Sequence, residues 1–183
     1  MVEYKPTKLG EPVLYPVESL WGNMHTLVEG ILDDFGITPK LALEFGVYRG
    51  GSIAILAQYF EKVIGVDPFD RWQQQETEYL KIYRSLCHLS NIHLIERTFQ
   101  DYILQPVYDY YDLIHIDIGY TIHDYESTYP CGEWSVQHSD CVIFHDTESF
   151  SEVKRACQEL ADKYGFEFHN YPYDSGLGIL IKK

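Results

Sequence analysis

The sequence predicts an α/β fold, a mostly parallel sheet with helices packed on both faces. Three observations support this. Short apolar runs recur along the chain and close on Gly46, Asp67, Asp117 and His145-Asp146. Segments of helical period separate most of them. The runs are continuously apolar, as strands buried on both faces must be, rather than alternating.

The elements follow in order. Residues up to about Pro16 carry Pro6, Pro12 and Pro16 and read as an extended arm or lid. Leu20, Met24, Leu27, Val28, Ile31, Leu32 and Phe35 then line one helical face, ended by Gly36 and Pro39. Leu41–Phe45 reads as a strand and Ser52–Phe60 as a helix with Ser52 at its N-cap. Val63–Val66 is a strand, about 70–89 a helix, and Ile92–Ile95 a strand. Leu113–Ile116 is another strand, followed by a helix within about 122–135. Cys141–Phe144 is a strand and Ser151–Tyr164 a helix with the stripe Val153, Ala156, Cys157 and Leu160. Phe166–Phe168 and Gly178–Ile181 have no helix between them and should pair antiparallel. The expected organisation is one domain over 1–183, with the arm and first helix in 1–39 and a core in 40–183.

Composition narrows the function classes. The 183 residues are 45% hydrophobic and carry a formal charge of −14. So acidic a chain lacks the electrostatic footprint for nucleic acid or anionic lipid. No apolar run reaches the ~18 residues of a membrane helix, and the first residues do not read as a signal peptide. Cys87, Cys131, Cys141 and Cys157 form no CxxC pair and read as core thiols of a cytoplasmic protein. His25, His88, His93, His115, His138 and His169 show no ligand spacing and read as surface or satisfied core histidines.

In such sheets a ligand sits outside the carboxyl ends of the strands, where strand order reverses. The first strand ends Glu44-Phe45-Gly46-Val47-Tyr48-Arg49-Gly50-Gly51-Ser52. Gly46 suits a tight turn, and Gly50 and Gly51 allow close backbone approach by a nucleoside ligand. Asp67 closes the second strand, where a carboxylate accepts both hydroxyls of a ribose. Phe99 and Gln100, after the third strand, suit an adenine edge; Phe99 as core is an equal alternative. Asp117, His145 and Asp146 close neighbouring strands and form a candidate general-base or cation-binding group, with His123 and Asp124 nearby.

Leu43–Ser52 and Gly65-Val66-Asp67-Pro68-Phe69 together resemble class I S-adenosylmethionine-dependent methyltransferases. The likeness is nearest to the group of macrocin-type O-methyltransferases and cephalosporin-hydroxylase-like proteins. Ile114–Asp117, Val142–Thr147 and Ser175–Ile179 are similar to its later strand ends. The resemblance implies a three-layer Rossmann-like sandwich with a seven-stranded sheet, order 3-2-1-4-5-7-6, strand 7 antiparallel. It implies that Glu44 and Gly46 flank the methionine part of S-adenosyl-L-methionine, with Gly50, Gly51 and Ser52 nearby. Asp67 would take the ribose, Phe99 and Gln100 would border the adenine, and Asp117 would also face the cofactor. In relatives that use Mg²⁺ the ligands map onto Asp117, His145 and Asp146. This chain lacks the second acid and the histidine usual after the fourth strand, and it has His145 where an acid is common. Metal-assisted and metal-free chemistry both stay open.

The expected function is methyl transfer to the hydroxyl of a small molecule or sugar, with Asp117, His145 or Asp146 positioning or deprotonating it. A homodimer is a family-level expectation. The rivals are a non-catalytic S-adenosylmethionine-binding module, a nicotinamide-dependent oxidoreductase and a metal-dependent hydrolase on His145 and Asp146. The Gly46-xxx-Gly50 spacing argues against the nicotinamide cofactor.

Overall fold

The computed structural model describes residues 1–14, 24–69, 78–106, 109–118 and 125–183. Its strands are β1 (Val2–Glu3), β2 (Leu41–Phe45), β3 (Lys62–Asp67), β4 (Ile92–Glu96), β5 (Leu113–Ile116), β6 (Cys141–His145), β7 (Phe166–Tyr171) and β8 (Leu177–Lys182). Its helices are α1 (Met24–Asp34), α2 (Gly51–Tyr59), α3 (Glu78–Leu86), α4 (Phe99–Ile103), α5 (Tyr125–Val136) and α6 (Ser151–Tyr164).

The strands form one sheet in the order β1-β7-β8-β6-β5-β2-β3-β4. Only β8 runs against the rest, pairing antiparallel with both β6 and β7. The core order is therefore the expected one. The count is not: Val2–Glu3 add an eighth strand, parallel to β7 through Val2↔His169 and Glu3↔Asn170. Prolines and an extended arm gave no period from which to read a two-residue strand.

Alternate residues of each strand feed opposite faces. Ala42, Val63, Leu113 and Ile143 pack with Leu27, Val28 and Ile31 of α1, with Ile53 and Leu56 of α2, and with Leu86 of α3. Leu43, Phe45, Ile64, Ile114, Val142 and Phe144 pack with Tyr102 of α4, Cys131 of α5, and Val153, Cys157 and Leu160 of α6. Each fully buried large aliphatic contributes ~1.5–3 kcal/mol against the chain entropy.

The boundaries differ at a few points. Ser52 is not an N-cap: Gly50 caps α2 in the left-handed region (φ 82°), and Ser52 lies inside the helix. The short helix α4 was not anticipated; Thr98 caps it, its hydroxyl accepting from the Asp101 amide at 3.1 Å. The third helix is described from Glu78 only, and residues 20–23, 70–77, His123 and Asp124 lie outside the described residues. Cys131, Cys141 and Cys157 are buried, but Cys87 is exposed. Among the described residues no helix is long and apolar enough to cross a membrane.

Candidate active site

The chain passes from β2 to β3 to β4 on one side, then returns to place β5 on the other side of β2. The carboxyl end of β2 is thus the switch point. Gly46 sits there with φ 88°, and a Cβ on it would lie 2.0 Å from the Asp117 carbonyl oxygen. The glycine is required because the end of β5 crosses the turn at backbone distance. Tyr48 (φ 49°) and Gly50 (φ 82°) complete a sharply folded loop. The space beside Gly50 is taken by the protein itself, with Leu86 Cδ1 2.9 Å from where a Cβ would stand. Gly51 and Ser52 are buried in the first turn of α2.

Asp67, 1% exposed, accepts from the Tyr48 amide at 2.9 Å and from the Phe69 amide at 2.7 Å. Its first structural task is therefore to tie the glycine loop to the end of β3. The Asp67 carbonyl also receives the Arg97 amide at 3.0 Å, which aligns the start of α4. Phe99 packs half-buried on the core of that face, while Gln100 is exposed.

Glu44 is fully buried in β2. Ser52 donates its hydroxyl to Oε1, and Nδ1 of the fully buried His115 lies 2.9 Å from the same oxygen. Oε2 is buried with no hydrogen-bond partner among the described residues. Burial pushes the Glu44 carboxyl above its usual range, against the opposing pull of His115 and Ser52. His115 was read from sequence as a surface or satisfied core histidine. The structure bears out the core alternative: His115 is buried and meets Glu44 through the cross-strand register Glu44↔His115. The only signal in the sequence was a histidine inside an otherwise apolar strand.

The sequence-predicted trio does converge. His145 Nδ1 lies 3.1 Å from Asp146 Oδ1 and 3.7 Å from Asp117 Oδ1. Donor atoms of the three residues all lie within 4.8 Å of one another. Asp146 adopts a left-handed backbone (φ 69°) directly after β6, which turns its side chain back beside His145. Burial disfavours a charged His145, but hydrogen bonding and charge from Asp117 and Asp146 outweigh it and raise its pKa to about 9. The imidazole is therefore protonated at neutral pH. Two carboxylates and one ring nitrogen form a mixed donor set that could hold a divalent cation, though magnesium prefers oxygen ligands throughout.

Residues 43–147 match the model of the family described as a methyltransferase domain, more than half of the chain. The chain belongs to that family. None of the curated proteins matches it. Among solved structures, this methyltransferase-family chain resembles SMU.1697c from Streptococcus mutans, solved with S-adenosylhomocysteine. That likeness has TM-score 0.65 at 17% identity and covers 85% of this chain and 97% of that one. An O-methyltransferase from Bacillus cereus, also solved with S-adenosylhomocysteine, gives TM-score 0.64 at 13% identity over 92% and 84% of the two chains. TomG from Streptomyces achromogenes, an O-methyltransferase of tomaymycin synthesis solved with S-adenosylmethionine, gives 0.62 at 10% identity over 90% and 82%. At these identities the likeness establishes the fold.

Proposed function

We propose that this methyltransferase moves a methyl group from S-adenosyl-L-methionine to a hydroxyl of a small molecule or sugar. The observation that carries the reading is the gathering of the 46–50 loop, Asp67 and the Asp117–His145–Asp146 cluster at the switch point of one sheet. O-methyltransferases among the structural neighbours support oxygen as the acceptor. The narrower likeness to macrocin-type enzymes favours a sugar or natural product.

Two acids support the cofactor reading: among the described residues Glu44 Oε2 lacks a donor, and Asp67 closes the neighbouring strand, where a ribose would lie. When bound, S-adenosylmethionine supplies a methyl already activated by its sulfonium. The protein's tasks are to align the acceptor in line with that methyl and to take up its proton. Glu44 and Gly46 would border the methionine end, Gly50, Gly51 and Ser52 would hold the loop beneath it, and Phe99 and Gln100 would border the adenine. Asp117 has the more open carboxylate, 19% exposed against 12% for Asp146, and serves as the proton acceptor. Asp117 and Asp146 push the His145 pKa up to about 9, which favours a role for His145 in steadying negative charge growing on the acceptor oxygen over that of base. Asp117, His145 and Asp146 are also the residues that would hold a divalent cation, which would polarise the acceptor oxygen.

Calorimetry with S-adenosylhomocysteine tests this. The chain is expected to bind it, and Asp67→Asn is expected to weaken binding at least ~10-fold, as loss of a charge-assisted bond of ~1.5–3 kcal/mol implies. Unchanged affinity in the variant removes the ribose role.

A further inference from the structure

Asn170 is a polar residue on an apolar strand face. It shares its phase in β7 with Phe166 and Phe168, both core residues, and is itself 3% exposed. A buried amide must find partners. Its Oδ1 accepts from the Thr147 hydroxyl at 2.7 Å, and its Nδ2 donates to Glu148 Oε1 at 2.7 Å. The orientation of the amide follows from chemistry, because an ionised carboxylate only accepts and the nitrogen must therefore face Glu148. Lys154 holds the same Glu148 oxygen at 2.5 Å.

Thr147 and Glu148 are the two residues after Asp146. The segment they start is fastened on its other side by the turn between β7 and β8. The Asp146 amide donates to the Gly176 carbonyl at 3.0 Å, and the Glu148 amide donates to the Ser175 carbonyl at 2.9 Å. Asp146 itself holds a left-handed conformation, which an L-residue keeps only when its surroundings over-determine it. The backbone of Asn170 is also fixed from outside: its carbonyl accepts the Tyr4 amide at 2.7 Å as the arm joins the sheet.

We infer that Asn170 is a positioning residue for the His145–Asp146 pair, clamping the two residues that follow it so that Asp146 stays turned onto the imidazole. Asn170 lies one strand beyond β8, which separates β7 from β6. It acts entirely through Thr147 and Glu148. The inference concerns the site of the proposed methyl transfer and rests on that reading only for its catalytic meaning.

Histidine-ring NMR titration of the full chain, with Asn170→Ala and Thr147→Val beside it, provides the test. Thr147→Val keeps the side-chain shape and removes only the hydroxyl donor. Both variants are expected to lower the His145 midpoint by about one unit or more, a tenfold loss of proton affinity. Affinity for S-adenosylhomocysteine should stay within about twofold in both. A folded variant of either kind with an unmoved His145 midpoint overturns the inference. So does a parallel loss of S-adenosylhomocysteine affinity, which would mean general loosening. If Asn170→Ala fails to fold, Thr147→Val decides by the same midpoint. A parent chain that does not bind S-adenosylhomocysteine overturns the methyl-transfer reading, while the His145 midpoint still judges Asn170.

Discussion

At Gly46 two requirements coincide in one residue. The positive φ favours glycine, and the Asp117 carbonyl occupies the place of any Cβ. Both neighbours are backbone at the centre of the sheet and have little room to move. Gly46→Ala is therefore expected to cost at least ~2 kcal/mol. Urea unfolding would show it as a lower midpoint at unchanged slope. A midpoint equal to that of the parent would mean the end of β5 is free to shift. The neighbouring Glu44–Ser52–His115 group obeys another rule. Three polar side chains buried together are tolerable only while they bond one another, and Oε2 of Glu44 is the member left without a donor.

In the N-terminal arm one carboxylate gathers several of the contacts that hold the element, beside its strand pairing with β7. Asp34, in the last turn of α1, accepts from the Tyr4 hydroxyl at 2.9 Å, the Thr7 amide at 3.0 Å and the Thr7 hydroxyl. Burial pushes its carboxyl up, but the Thr7 and Tyr4 bonds outweigh this and hold it below its usual value. A depressed carboxyl gives stability that is present above the unfolded pKa of ~3.9 and is lost as pH falls through the lowered folded value. Amide exchange at Tyr4, whose amide bonds to Asn170, is therefore expected to quicken at acid pH before the central strands open. Asp34→Ala should reproduce that loosening at neutral pH, by roughly tenfold in exchange for the ~1.4 kcal/mol of lost hydrogen bonding. Equal protection in the variant would show that strand pairing alone docks the arm.

Over the whole molecule the dominant electrostatic fact is the net charge of −14. Self-repulsion of that size opposes compaction and is screened by salt. Between ~10 and ~150 mM salt the Debye length drops from about 30 Å to about 8 Å. The melting temperature is expected to rise over that range, measured by scanning calorimetry. A fall would mean that specific ion pairs, such as Lys163–Glu133 at 2.6 Å or Lys154–Glu148, matter more than the net charge. The same scale explains the placement of the site. The crossover back to β5 beside β2 brings residues 44–52, 67 and 115–117 to one end of the sheet, although they are far apart in sequence.

The sequence by itself determined the alternation of strands and helices, the core strand order through family likeness, and the strand-end residues Glu44, Gly46, Asp67, Asp117, His145 and Asp146. These were legible because apolar periodicity is local and because polar residues that close buried runs stand out. Only the tertiary structure decided three things: that His115 shares an oxygen with Ser52 on Glu44, that Gly46 and Gly50 make room for the protein's own atoms, and that Asn170 holds the turn after β6. Each depends on cross-strand register or on a contact between residues distant along the chain. No local pattern encodes such contacts; they are fixed only when the whole sheet assembles.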